Sequence, residues 1–293
     1  MNVEPIELYK RYVHERQMVW ERRQIGLPGP WSDDPILNEL KFCNNFRVLD
    51  RGSQYVLKMV QDAHTKGDVV LRAFLYRFTN MEVVWEIFLN QHGRWPIEED
   101  LSNGTLERFI LEAGERMNLF NPAYLLSPGM NNKGMTRPEW LVKTMYIAEE
   151  ELLHNEFYSA PMAEKHMWLR GIPRCADFLA MQVLTDIGYS DILPQDENEF
   201  VVPGLGALRG LDALGYHSRQ SISAMRDLQE HFSGSIVLDV KGTERPLSLM
   251  DIQNTLCEFG KYHRAVSGVR SRPRKFHPAG TPADPIYPNH WSV

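Results

Sequence analysis

The chain has 293 residues and a mass of 34.0 kDa, with 43% hydrophobic and 24% charged residues and a formal charge of -6 at neutral pH. That size holds one large domain or two smaller ones around a substantial core, and so ordinary a composition excludes disorder over most of the length. The acidic balance argues against a nucleic-acid binder that works by bulk charge, and no segment approaches the roughly 18 apolar residues that span a bilayer.

Apolar residues recur at three- and four-residue spacing through most of the sequence, so the expected fold is all-α. Helices are expected over 5–24, 36–49, 53–63, 67–77, 80–91, 104–118, 137–154, 176–187, 219–232 and 248–262. Asn103 and Ser248 are positioned as N-caps. Only SIVLDV, 235–240, alternates like a strand. The Gly, Pro and Asn cluster NPAYLLSPGMNNKGMT marks a soft boundary near 120–136 between two helical lobes around a cleft. Residues 1–276 then read as one helical domain, and 277–293 as a Pro-rich tail. The N-terminal MNVEPIELYKRYVHERQ carries no apolar run of signal-peptide length, so the cytosol, or a host's cytosol for a viral protein, is the expected location.

Several short stretches carry chemistry. GLPGPWSDD places Trp31 beside Asp33 and Asp34 in a Gly and Pro loop, and Arg47, Asp50 and Arg51 follow on what reads as one helix. WLRGIPRCADFLAMQVLTDIGYS, 168–190, is two helices around a Gly-Ile-Pro turn. There Gly171 and Arg174 are candidate contacts to a DNA phosphate at the second helix N-terminus, and a plain packing corner is the alternative. Glu151 and His154 form one ExxH pair, but a bundle metal site needs a second, so no metal ligands are assigned. The Gly204 to Gly210 run lacks the strand and the Lys-Ser that a nucleotide loop requires. Its backbone N–H groups and Arg209 suit a phosphate all the same. LCEFGKYHR places Glu258, Lys261 and Tyr262 on adjacent turns, with Glu258 and Lys261 either a surface ion pair or a base beside a cation. From Lys261 to Lys275 there are six Lys or Arg and no acid, including Arg270, Arg272, Arg274 and Lys275; this is a DNA-facing surface or a solvated tail. Cys43, Cys175 and Cys257 are too far apart in sequence for a disulfide framework and read as reduced thiols in or near the core.

Together these stretches resemble the helical domain of 5-hydroxymethyluracil DNA kinases and the related α-glutamyl/putrescinyl thymine pyrophosphorylases. GPWSDDPILNELKFCNNFRVLDR resembles that group's PWT-DPIL, F-N-YR, DR signature. FLYRFTN at 74–80, IPRCADFLAMQVLTDIGY, VPGLGALRGL and LCEFGKYHR follow in the same order, from about residue 10 to 276. Ser32 stands where Thr is usual, and Asn45-Phe46 replaces a Val-Tyr pair. The resemblance implies a helix-hairpin-helix, DNA-glycosylase-like fold acting on modified thymine in phage-type DNA. In that chemistry a kinase phosphorylates 5-hydroxymethyluracil, and a transferase replaces the resulting pyrophosphate with an amine such as an amino acid or putrescine. No Walker motif is present, so the transferase is the expected activity.

The implied site has Trp31 stacking on a flipped base, with Asp34, Arg47, Asp50, Arg51, Arg77, Asn80, Arg209 and Arg264 holding base or phosphate. Glu258 or Asp186 takes the proton of the amine, and Lys261 stabilises the leaving pyrophosphate. No cofactor is required with certainty, and a divalent metal such as Mg stays open. The implied partners are modified DNA, the amine donor and a 5-hydroxymethyluracil DNA kinase, with no membrane. The competing readings are a glycosylase using Asp196 and a non-catalytic DNA-binding partner of the kinase.

Overall fold

A computed structural model describes residues 4–121, 134–217, 220–269, 274–278 and 280–292. Its helices are α1 Pro5–Gln24, α2 Pro35–Glu39, α3 Arg51–Gln61, α4 Lys66–Thr79, α5 Glu82–His92, α6 Glu99–Ser102, α7 Thr105–Arg116 and α8 Arg137–Leu152. They continue as α9 Asn155–Ser159, α10 Met162–Gly171, α11 Asp177–Gly188, α12 Leu205–Ala213 and α13 Ser221–His231. A hairpin of β1 Val237–Val240 and β2 Thr243–Pro246 precedes α14 Leu249–Val266. The fold is all-α with one small two-stranded sheet. Among the described residues no helix is long and apolar enough to cross a membrane.

The chain divides into two compact units, Met1–Asp50 with Val201–Tyr287, and Arg51–Phe200 with Pro288–Trp291. The sequence break near 120–136 thus falls inside the second unit, where α8 packs on α4, α7 and α10. Residues 122–133 of that stretch lie outside the described residues.

In the first unit α1 and α14 share an aromatic core. Tyr9 meets Phe232 and Phe259 edge to face, at 5.6 and 5.0 Å between ring centres, and Tyr12 lies 4.9 Å from Tyr262. The sequence GLGALRG forms α12, and its glycines serve packing. A Cβ at Gly206 would collide with the Cys257 sulfur, and one at Gly210 with the Leu256 carbonyl. Gly206 and Gly210 are thus packing positions: their missing side chains let α12 lie against the α14 backbone. The hairpin turns at Lys241 and Gly242, both with positive φ (53° and 89°), the two-residue geometry that matches the twist of the strands.

In the second unit α4 is buried along almost its whole length, surrounded by α3, α8 and α11. Phe74 stacks on Phe78 at 4.1 Å, and Phe78 continues onto Trp140. The segment 289–292 is fixed here: Asn289 Nδ2 and His290 N donate to the Asp191 carboxylate at 2.6 and 3.0 Å, and Trp291 packs edge-on to Tyr189.

One expected helix is broken. Only Pro35–Glu39 and a short 3-10 turn, Arg47–Leu49, are helical within 36–49. The backbone N–H groups of Cys43, Asn44 and Arg47 donate instead to the carboxylates of Glu258, Asp50 and Asp251. Those side chains replace the carbonyls a continuous helix would have offered. Of the two expected caps, Ser248 forms a full capping box with Asp251. Asn103 acts one residue early, accepting the Thr105 N–H while Gly104 is the N-cap.

Gly210→Ala is expected to lower stability by about 1 to 3 kcal/mol through overpacking against backbone. Gly171→Ala, where a Cβ meets nothing within 4 Å, should be within about 0.5 kcal/mol of wild type. Urea denaturation of the two variants checks both.

Candidate functional site

Four polar side chains on one edge of α14, Asp251, Asn254, Glu258 and Tyr262, hold the segment 34–50 of the first unit. Tyr262 donates its hydroxyl to Asp34 at 2.5 Å, and Glu258 Oε2 accepts the Cys43 N–H at 3.0 Å. Asn254 donates to the Asn44 carbonyl at 2.9 Å and to Asp50 at 3.3 Å, and Asp251 accepts the Arg47 N–H at 2.7 Å. The segment therefore runs antiparallel to the helix, with one contact per turn. The spacing of three, four and four residues places the four side chains on one helical edge.

Glu258 and Lys261 are the charged centre of this edge. Lys261 Nζ lies 2.7 Å from Oε2 and 2.6 Å from Oε1, and the side chains are 5% exposed for Glu258 and 39% for Lys261. The carboxylate is thus buried and oriented, with its cation on the solvent side. Burial works against the Lys261 charge, but the Glu258 carboxylate outweighs it and holds the ammonium above its ordinary range. Burial pushes the neighbouring Cys257 thiol up to about 11, with Glu258 adding to the rise and Lys261, Arg264 and Arg209 opposing it. Three cations therefore act on the surroundings of one carboxylate. Asp50 is raised by burial against the N–H bond from Asn44, and Tyr262 is pushed up to about 12 by burial and its bond to Asp34.

The Trp31 loop reaches this edge through Asp34. Trp31 itself is half-buried: its indole N–H donates to the Leu27 carbonyl at 2.7 Å, and its ring meets Phe276 edge-on at 6.0 Å. The Arg23 guanidinium lies 5.4 Å from the Trp31 ring and 5.1 Å from Phe276. Ser32 is buried, donates to Glu15 at 2.8 Å and accepts the Asp34 N–H, a role a Thr hydroxyl would fill equally. Arg47 is buried in the same segment. Within the basic run, residues 274–276 pair with 39–41 through Lys41 N to the Arg274 carbonyl and Phe276 N to the Glu39 carbonyl, at 2.9 and 2.8 Å. Arg274 and Lys275 are exposed on a pinned backbone rather than on a loose tail, and Arg270 and Arg272 lie outside the described residues.

The remaining candidates belong to the second unit. Arg51 begins α3, apart from the Arg47 turn, and grips Glu82 with two nitrogens at 2.5 to 3.1 Å. Arg77 and Asp186 form a buried two-pronged pair, with Nη2 to Oδ1 at 2.8 Å and Nε on Oδ2; Asp186 has no exposed surface. That pair ties α4 to α11 and turns both Asp186 oxygens to Arg77. Asn80 ends α4 in the left-handed conformation, φ 46°. The helix–turn–helix at 162–188 is present. The Cys175 N–H bonds the Ile172 carbonyl at 3.0 Å, Pro173 takes the second turn position, and Arg174 sits at φ 65° where glycine is favoured. Gly171 and Arg174 are exposed.

Two further candidate groups are engaged locally. His154 caps α9 and contacts the Glu151 carbonyl and the Glu156 carboxylate, so the ExxH pair is a local cap. Asp196 is exposed and closes its own turn on Asn198. Among the described residues no group of three or more His, Cys, Asp or Glu side chains is placed to hold a metal ion. Cys43, expected near the core, is exposed because it lies in the broken stretch of the 36–49 helix. Sequence reasoning missed Tyr12, Arg16, Asn44, Asn254 and Asp251. The signal available in the sequence was the spacing of Asp251, Asn254, Glu258 and Tyr262, three, four and four residues apart on one edge of the helix.

Asp186→Ala is expected to cost about 3 to 5 kcal/mol, because it strands a buried guanidinium. Glu258→Gln, which keeps an acceptor for the Cys43 N–H, should cost far less. Chemical denaturation of both separates the structural carboxylate from the other one.

Residues 4–271 match the family described as 5-hmdU DNA kinase, helical domain. The 5-hmdU DNA kinase of Bacillus phage SP10 is 36% identical over 77 residues, which are 24% of this chain and 12% of that protein. The chain therefore corresponds to only a small part of that relative's length. No solved structure matches the chain.

Proposed function

The chain belongs to the family of 5-hmdU DNA kinase helical domains, and from that premise we propose that it is a thymine-hypermodifying transferase on DNA, exchanging the pyrophosphate of 5-pyrophosphoryloxymethyl-deoxyuridine for an amine. The observation that carries this reading is the Glu258–Lys261 pair, a buried carboxylate with a half-exposed cation, beside a Cys257 thiol that also feels the charges of Arg209 and Arg264. An incoming ammonium gives a proton to Glu258 and becomes nucleophilic. Its nitrogen lone pair then forms the bond to the 5-methylene carbon as the carbon–oxygen bond breaks, and pyrophosphate leaves with that electron pair. Lys261 has three N–H donors, so one remains for the leaving oxygens while the others stay on Glu258. The product ammonium sheds its second proton to solvent.

In this reading DNA is held by exposed cations. Arg274 and Lys275 are fixed by their pairing with 39–41, and Gly171 and Arg174 stand at the turn before α11. The target base leaves the duplex to be reached, and a 5-hmdU DNA kinase is the natural supplier of the substrate. The amine donor comes from solution.

The direct test incubates the protein with pyrophosphorylated 5-hydroxymethyluracil DNA and a mixed amine pool, then measures the digested nucleosides by mass spectrometry. A 5-aminomethyl-type adduct with released pyrophosphate is expected. DNA binding without any new nucleoside would leave the non-catalytic kinase partner as the function.

Glu258→Gln should bind DNA normally and lose about 10²- to 10⁴-fold in turnover, recovering in part as rising pH supplies neutral amine. Lys261→Met should also be slow, and pH should not rescue it, because hydroxide does not replace positive charge at the leaving group. Rate–pH profiles of the two variants distinguish the roles; a wild-type profile for Glu258→Gln would place the base elsewhere.

A further inference from the structure

A groove of about 550 Å³ opens on the second unit, and every residue that lines it belongs to α7 or α8. Both helices bury a broad apolar face, with Phe109 and Ile110 on α7 and Leu141 and Met145 on α8, and the groove lies at the edge of those faces. Its apolar lining is Leu111, Val142 and Ile147. Three carboxylates, Glu107, Glu139 and Glu150, share it against one ammonium, Lys143. Two of the three are fixed in place, because the Tyr146 hydroxyl donates to Glu107 at 2.8 Å and Glu139 closes the capping box with Thr136. Glu150 is exposed. An aliphatic lining under an excess of negative charge suits an apolar segment that carries cations.

The chain carries such a segment itself. Between Glu258 and Asp284 the sequence contains no acid, and within that stretch the end of α14 presents Val266 and Val269, which are 45% and 52% exposed. Both are held in position. The helix stops where Gly268 takes φ 67°, and the Val269 N–H turns back to the Arg264 carbonyl at 3.0 Å, so the second valine is fastened over the last turn. His263 and Arg264 are the basic residues of that turn. A groove of this size takes a few side chains and not a folded face, so a projecting helix end with two aliphatic side chains among cations is the complementary shape and charge.

We propose that the α7–α8 groove of one copy receives the α14 end of a second copy, with Val266 and Val269 against the aliphatic lining and the cations beside them facing the carboxylates. The two surfaces differ, so the contact is heterologous. Few side chains take part, and association is accordingly weak, with a Kd on the order of 100 µM. Its charges lie at the surface, so salt screens them. Nothing in this contact depends on the transferase reading, and either stands if the other fails.

The test is sedimentation equilibrium of the full chain, without DNA, over concentrations that bracket that affinity. The average mass should rise above the 34.0 kDa of one chain as concentration increases, and fall back at high salt. Glu150→Lys places a cation in the groove, and Val269→Asp places a carboxylate on the helix end. Both positions are exposed, so melting temperatures should match wild type; Ser267→Glu, also exposed, serves if Val269→Asp folds poorly. Each variant alone should associate at least about tenfold more weakly, because like charges are brought together. An equimolar mixture of Glu150→Lys and Val269→Asp should associate again, since the groove of one and the helix end of the other are intact. A chain that stays monomeric at every concentration would overturn the proposal. So would association that either variant leaves unchanged. A mixture that gains nothing over its components would also overturn it, and would assign the groove to a different basic partner.

Discussion

The polar edge of α14 is the interaction on which the first unit depends. Segment 34–50 contains a break in regular structure, and a backbone without a helix or sheet must find hydrogen-bond partners elsewhere. Asp251, Asn254, Glu258 and Tyr262 provide them at successive turns. The same helix is used on its other sides as well. Thr255 meets the Tyr9 hydroxyl at 2.6 Å, Phe259 packs on Tyr9, and the backbone near Leu256 and Gly260 receives α12. A single 18-residue helix, Leu249–Val266, thereby organises α1, α2, α12 and the irregular segment between α2 and α3.

That arrangement explains how Glu258 is buried and still sits beside a partly exposed cation. Its place is set by the Cys43 N–H on the inside and by Lys261 on the outside, so the carboxylate is oriented from two directions. Arg16 ties down the carbonyl of the same residue 43 and so fixes the peptide that Glu258 grips. The Arg77–Asp186 pair of the second unit shows the contrast. Its groups are equally buried, but each charge faces the other in a two-pronged bond that holds two helices together. Burial alone does not mark a reactive carboxylate; the direction from which solvent or ligand reaches it does.

Much of the fold was legible in the sequence because helices are written locally. The periodicity of 5–24 corresponds to α1 end to end, and Ser248 as an N-cap announced the start of α14, where the structure adds the reciprocal bond from Asp251. The order of short motifs carried the family. Helix α12 is absent from the expected helices because Gly206 and Gly210 dilute its helix propensity, and of α10 the sequence showed only the end before the Gly-Ile-Pro turn. Strand β2 was missed because it is a largely exposed edge with no alternation.

The residues 34, 43, 44 and 47 each bond a partner more than 200 positions away, a pairing no local window contains. Tertiary structure alone broke the 36–49 helix, turned the GLGALRG glycines into a contact surface and brought Cys43 to the exterior. The physical division is between forces of different range. Helix propensity and capping act within one or two turns and are determined by neighbouring residues, so the sequence by itself decided the all-α class. Which buried donor meets which acceptor depends on where distant helices come to rest, and only the folded chain decides that.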